Sequence, residues 1–121
     1  MRIEPTDGVT FGYKSPLKTL YKKGKLNIDK GFYGGTLTKE NVTLEHLVPY
    51  SKGGKTTLDN LVLATKENNM KRSNLPIKDF INPSQVREYL KQFLGISTDD
   101  FSGDKYIKKI VMTLKKMGVF L

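Results

Sequence analysis

No cysteine occurs among the 121 residues, which excludes a disulfide framework, thiol chemistry and any zinc ribbon built on thiolates. Long apolar runs are missing too. None approaches the roughly 18 residues needed to cross a bilayer, and the opening Met1-Arg2-Ile3-Glu4-Pro5-Thr6-Asp7 lacks the apolar stretch of a secretory leader. These absences lead us to expect a soluble, cytoplasmic protein with no membrane partner. The chain shows no internal repeat and no low-complexity tract, and its length suits one compact domain with a small core.

Acidic side chains are scarce. Twelve Asp and Glu face 21 Lys and Arg, a formal net charge of +9, and such an excess points to a polyanion as partner. Arginine is scarce as well, since only Arg2, Arg72 and Arg87 stand against a large lysine majority. That bias suits attraction to a phosphate backbone more than bidentate reading of bases.

Three stretches follow one another along the chain. Residues 1–37 are rich in Gly, Tyr and Lys, with six lysines and one acid between Lys14 and Lys30. They read as a basic N-terminal arm holding one short helix, capped by Ser15, opened by Pro16 and stopped by Gly24. The bland reading of those lysines is the solvated face of that helix. Residues 38–76 read as a strand around Val42–Val48, a glycine-rich loop (Ser51-Lys52-Gly53-Gly54-Lys55), a second strand at Leu61-Val62-Leu63, and a short helix capped by Thr65. Residues 77–121 read as two helices. The first opens at Asn82-Pro83, carries Val86, Tyr89, Leu90, Phe93 and Leu94 on one stripe and stops at Gly95. The second is capped by Asp104, carries Ile107, Ile110, Val111 and Leu114, and ends at Gly118. Both stripes are expected to face the core.

The single histidine, His46, directly follows Glu45 at the end of the first strand. Alone it would suit a structural or surface role. Its context changes that: Leu44-Glu45-His46-Leu47-Val48-Pro49-Tyr50-Ser51-Lys52-Gly53-Gly54, then Leu58-Asp59-Asn60-Leu61-Val62-Leu63, then Lys66-Glu67-Asn68-Asn69-Met70-Lys71-Arg72. An imidazole with its ordinary pKa of about 6.5 is largely neutral at pH 7 and can accept a proton from water. Lys, Asp or Glu would need large shifts to do so.

This string resembles the HNH endonucleases, the ββα-metal nucleases, whose motif is an acid plus His, an Asn about fourteen residues on, and a further Asn or His in the next helix. Glu45 with His46, Asn60 and Asn69 fill those positions. The resemblance implies an α+β fold with a ββα-metal core, flanked by the N-terminal helix or arm and two C-terminal helices. It implies hydrolysis of DNA phosphodiesters, one strand nicked per site, with His46 as general base and Glu45 and Asn69 binding one Mg²⁺ or Mn²⁺ ion. Asn60 would bond to the loop backbone and brace the His-bearing strand end; a plain Asp-Asn turn is the alternative. Asn68 is a close rival of Asn69. Lys71 or Arg72, and Lys52 and Lys55 in the loop, would contact phosphate, or the Lys-Arg pair could be a solvated helix end. Many relatives carry Asp or a second His at position 45, so a Glu there alters metal reach by one methylene. The competing reading is an HNH-shaped nucleic-acid-binding accessory protein that cuts poorly. Similar small proteins often belong to phages or mobile elements; the oligomeric state, monomer or homodimer, is left open.

Overall fold

The structure is a computed structural model that describes residues 16–73 and 75–121. Lys14 and the expected cap Ser15 lie outside the described residues. Pro16 opens helix α1 (Pro16–Lys22), which buries Leu17. Gly24 follows at φ +74°, a conformation that side chains with a Cβ avoid. From there the chain runs without regular structure to residue 41, yet Leu26, Ile28, Phe32, Tyr33 and Leu37 are all buried.

The described part of the expected arm is therefore part of the core. Its lysines Lys22, Lys23, Lys25 and Lys30 face solvent, while the apolar residues between them turn inward. Spacing of single apolar residues among Lys and Gly conceals this, because no helix or strand period marks it.

Strand β1 (Val42–His46) pairs antiparallel with β2 (Leu61–Thr65), with Glu45 opposite Val62 and His46 opposite Leu61. All five residues of β2 are buried. Helix α2 (Lys66–Arg72) follows at once, its first turn capped by the Thr65 hydroxyl, which accepts from the Asn68 N–H. Strand, loop, strand and helix thus form one ββα unit.

Helix α3 (Ile77–Phe80) is a single turn. Helix α4 (Pro83–Lys91) is capped by the Asn82 side chain and buries Val86, Tyr89 and Leu90. It ends earlier than its stripe suggests, and Leu94 is exposed. A hairpin of β3 (Ser97–Thr98) and β4 (Phe101–Ser102) then leads into α5 (Gly103–Lys116). Ser102, not Asp104, caps α5: its hydroxyl accepts from the Lys105 N–H, while the Asp104 carboxylate accepts from Gly95 N–H at 3.2 Å.

The inner face of α5 is Tyr106, Ile110 and Leu114, with Ile107 and Val111 only partly buried at its edge. A hydroxyl explains this rotation. Leu63 N–H donates to Tyr89 Oη (3.0 Å), and Tyr106 Oη donates to the Leu61 carbonyl (2.8 Å). With its proton so used, Tyr106 accepts from Tyr89 across 2.8 Å. Burial pushes both phenols above their ordinary range, so the chain of three bonds stays protonated. It fastens α4 and α5 to β2. The architecture is α+β, five α-helices and two small antiparallel sheets among the described residues.

Tyr106→Phe should destabilise the fold by about 1–3 kcal/mol, since it strands a buried carbonyl and a buried hydroxyl. Urea denaturation of the two proteins measures it; a loss below about 0.5 kcal/mol would contradict this fastening.

Candidate active site

The site begins where β1 ends. Antiparallel pairing continues one residue past His46, as Leu47 N–H donates to the Asn60 carbonyl at 2.9 Å. The chain then turns out through Pro49 and a short turn, Tyr50–Lys52. Gly54 N–H donates to the Pro49 carbonyl at 3.0 Å. A Cβ on Gly54 would lie 1.7 Å from the Val48 carbonyl oxygen, so only glycine permits this closure.

Asn60, buried, holds the loop from inside. Its Oδ1 accepts from Val48 N–H (2.8 Å), and its Nδ2 donates to the carbonyls of Val48 (3.1 Å) and Lys55 (2.9 Å). Three backbone groups, two from Val48 and one from Lys55, are gathered on one amide. The next turn, Leu58–Asn60, carries it.

His46 is half-buried. Its Nε2 lies 2.9 Å from Thr56 Oγ1 in the same loop, and its ring meets the edge of the exposed Tyr50 ring at 6.2 Å between centroids. Burial lowers its pKa below the ordinary imidazole value, a shift that the nearby Glu45 carboxylate partly opposes.

Glu45 leaves the strand on the face it shares with Thr43, as alternation requires. Its Oε2 accepts from Tyr33 Oη at 2.9 Å and from the Arg72 guanidinium at 3.3 Å. Burial, then the Glu45 charge, raise the Tyr33 phenol well above its ordinary range, with Arg72 acting the other way. Tyr33 is therefore a fixed donor.

Arg72 differs most from its expectation as a phosphate contact. Its exposure is 2%. Besides Glu45 and Tyr33, its guanidinium donates to the carbonyls of His46 (2.9 Å), Leu47 (3.0 Å) and Leu75 (3.0 Å). A side chain with those five acceptors ties α2 to the end of β1 and does not reach out to a phosphate.

The two rival asparagines face different ways. Asn68 Nδ2 donates to the Gly34 carbonyl at 3.2 Å and is committed to the loop before β1. Asn69 Nδ2 donates to Thr43 Oγ1 at 3.1 Å. Asn69 and Arg72, three apart on α2, therefore both look onto the Thr43–Glu45 face of β1. Lys71 is exposed and pairs with Glu67 at 3.7 Å, and Lys52 and Lys55 are exposed on the loop.

The HNH endonuclease family model matches residues 20–77. This segment belongs to the HNH endonuclease family. No curated protein matches the chain. The match begins inside α1, well before residue 38, and so takes in Tyr33 and the buried stretch before β1. HNH domains point broadly to nuclease activity on DNA, and HNH nucleases generally depend on a divalent metal.

The donor set was tested against such an ion. Among the described residues no three His, Cys, Asp or Glu side chains gather as a cage. Instead, one carboxylate and one amide share a face, and with Asn69 Nδ2 held by Thr43, its Oδ1 is the atom turned away from that bond. All the bonds to Glu45 fall on Oε2, and its side chain keeps 11% exposure. One carboxylate, one amide oxygen and room for water and phosphate fit a hard cation of the Mg²⁺ kind. Tyr33 and the bracing use of Arg72 are the site features that motif reading misses. The signal for Arg72 is its rarity in so lysine-rich a chain; Tyr33 offers none.

Arg72→Met should cost about 3–5 kcal/mol, because it leaves the Glu45 carboxylate buried without its cation. Lys71→Met should stay within about 0.5 kcal/mol. Chemical denaturation of both variants separates a brace from a surface contact.

Proposed function

We propose that this protein is a metal-dependent DNA endonuclease that hydrolyses phosphodiester bonds, nicking one strand at each site. The observation carrying this reading is a half-buried imidazole of lowered pKa at a strand end, beside a carboxylate whose position is fixed by two buried donors. His46 acts as general base and takes the proton from the attacking water. Asn60 holds the loop that keeps the ring in place. Glu45 and Asn69 would hold the cation, Mg²⁺ or Mn²⁺, one per site. When bound, that cation supplies positive charge to the non-bridging oxygens of the phosphate. Lys52, Lys55 and Lys71 add mobile cations for the flanking backbone.

One observation favours a second reading, an HNH-fold binder that cuts poorly: Arg72 competes with a metal for the Glu45 carboxylate. Calorimetric titration with Mg²⁺ and Mn²⁺ separates the two. Binding at millimolar metal that is lost in Glu45→Gln supports the nuclease. No uptake at that concentration supports the binder.

Incubated with supercoiled plasmid and Mg²⁺, the protein should give nicked circles. His46→Ala should abolish cutting while DNA binding remains near the original level; cutting at an unchanged rate would overturn the assignment. The pH profile follows from the lowered pKa. Imidazole catalysis requires the neutral ring, so the rate should hold as pH falls to about 6.5 and decline only below it. A decline that begins above pH 7 would rule out His46 as the base.

A further inference from the structure

A cleft of about 400 Å³ opens beside the catalytic loop, with Lys52 from the loop and Lys78 from α3 among its lining residues. Its volume falls within the range of small-ligand sites. Val48, Pro49, Pro76 and Met117 give it apolar walls, and the buried Arg72 contributes to its lining. No acid is among the lining residues. On the other side of the same loop a smaller cleft, about 250 Å³, carries Lys55 and Lys116 but also Asp59. Anionic groups are therefore better matched to the first.

Lys78, exposed on α3, leans over the end of α5. A Cβ on Gly118 would lie 2.8 Å from Lys78 Cε and 2.9 Å from its Nζ, so the ammonium lies over the glycine that ends α5. Lys52 sits six residues after His46, in the turn that Pro49 begins. The cleft adjoins the end of β1: Val48 and Pro49, two and three residues after His46, line it, as does Arg72, which holds the His46 and Leu47 carbonyls.

We infer that this cleft seats the nucleotide next to the cleaved bond, its phosphate between Lys52 and Lys78 and its sugar and base edge against the apolar walls. The substrate strand would then pass from the His46 end of β1 over Pro49 toward the end of α5. This rests on the nuclease reading for the position of the cut, and on the cleft alone for binding. The occupant is a segment of nucleic acid strand, not a free nucleotide, since the cleft is lined by the residues that directly follow the strand end carrying the base.

Both lysines are exposed, so their removal should leave the melting temperature unchanged. In a His46→Ala background, binding of a short fluorescent DNA duplex is measured by anisotropy between about 50 and 200 mM salt. Two double variants are compared: Lys52→Ala with Lys78→Ala, and Lys39→Ala with Lys91→Ala, which removes the same charge elsewhere at exposed positions. One phosphate contact is worth about one counterion, or about eightfold in affinity at 0.1 M salt. Because the two lysines share one phosphate, the cleft pair should lose about eightfold and lower the salt slope by about 1, and the control pair should lose less than threefold. Equal losses in the two pairs would overturn the proposal, as would a 5′-mononucleotide that binds more tightly than the duplex. The plasmid assay on the unmodified protein judges the nuclease reading separately. Absence of cutting with a retained cleft effect removes that reading and keeps the cleft.

Discussion

A guanidinium taken almost wholly out of water sets the conditions for the rest of this molecule. Arg72 keeps its charge when buried, so its surroundings must supply acceptors and a counter-charge. Those come from the end of β1, the turn after α2 and the stretch before β1: three carbonyls, the Glu45 carboxylate and the Tyr33 hydroxyl. The strand end, the helix and the irregular stretch before β1 cannot move independently while that cluster is intact. It also fixes the carboxylate one residue before the histidine. A group that the motif treats as a ligand is here part of a structural charge pair, and any cation must share it.

The ββα unit was legible because its devices are local. Thr65 as a cap, the glycine-rich loop and the Pro-Gly punctuation each act within a few residues, and β1, β2 and α2 form where those signals lie. Gly24 and Gly118 take the positive φ that a helix stop requires, whereas Gly95 takes it three residues past Gln92, the cap of α4. What escaped sequence reading depends on distant partners. The stretch 24–41 has no period, yet it feeds the core because Phe32 N–H bonds to the Leu63 carbonyl at 2.9 Å. The turn of α5 that puts Tyr106 inward and Ile107 and Val111 at the edge follows from where the Tyr106 hydroxyl ends, which no stripe of apolar residues encodes. Likewise the motif offered Asn68 and Asn69 without choosing by contact, and only the placement of the Gly34 carbonyl and the Thr43 hydroxyl tells their surroundings apart.

Charge is distributed by task. Lys105, Lys108, Lys109, Lys115 and Lys116 are all exposed on the outer face of α5, and Lys22, Lys23, Lys25 and Lys30 face solvent near α1. The proposed site, Glu45, His46, Asn60 and Asn69, adds little to the +9 total, and the arginine that braces it is neutralised by Glu45. Long-range attraction to a polyanion therefore resides in groups that touch no reacting atom. The proposed chemistry rests on groups whose positions are set by burial.

The pair of tyrosines on β2 has a consequence of another kind. A two-stranded sheet normally leaves outer N–H and C=O groups open to a strand from another molecule, a standing route to aggregation or swapping. On β2 those groups are taken within the chain: Leu63 by Phe32 and Tyr89, Leu61 by Tyr106. Side chains of two helices thus complete an edge that larger proteins finish with a third strand. For a chain of net charge +9, whose copies any polyanion would draw together, the outer edge of β2 stays closed to neighbouring copies.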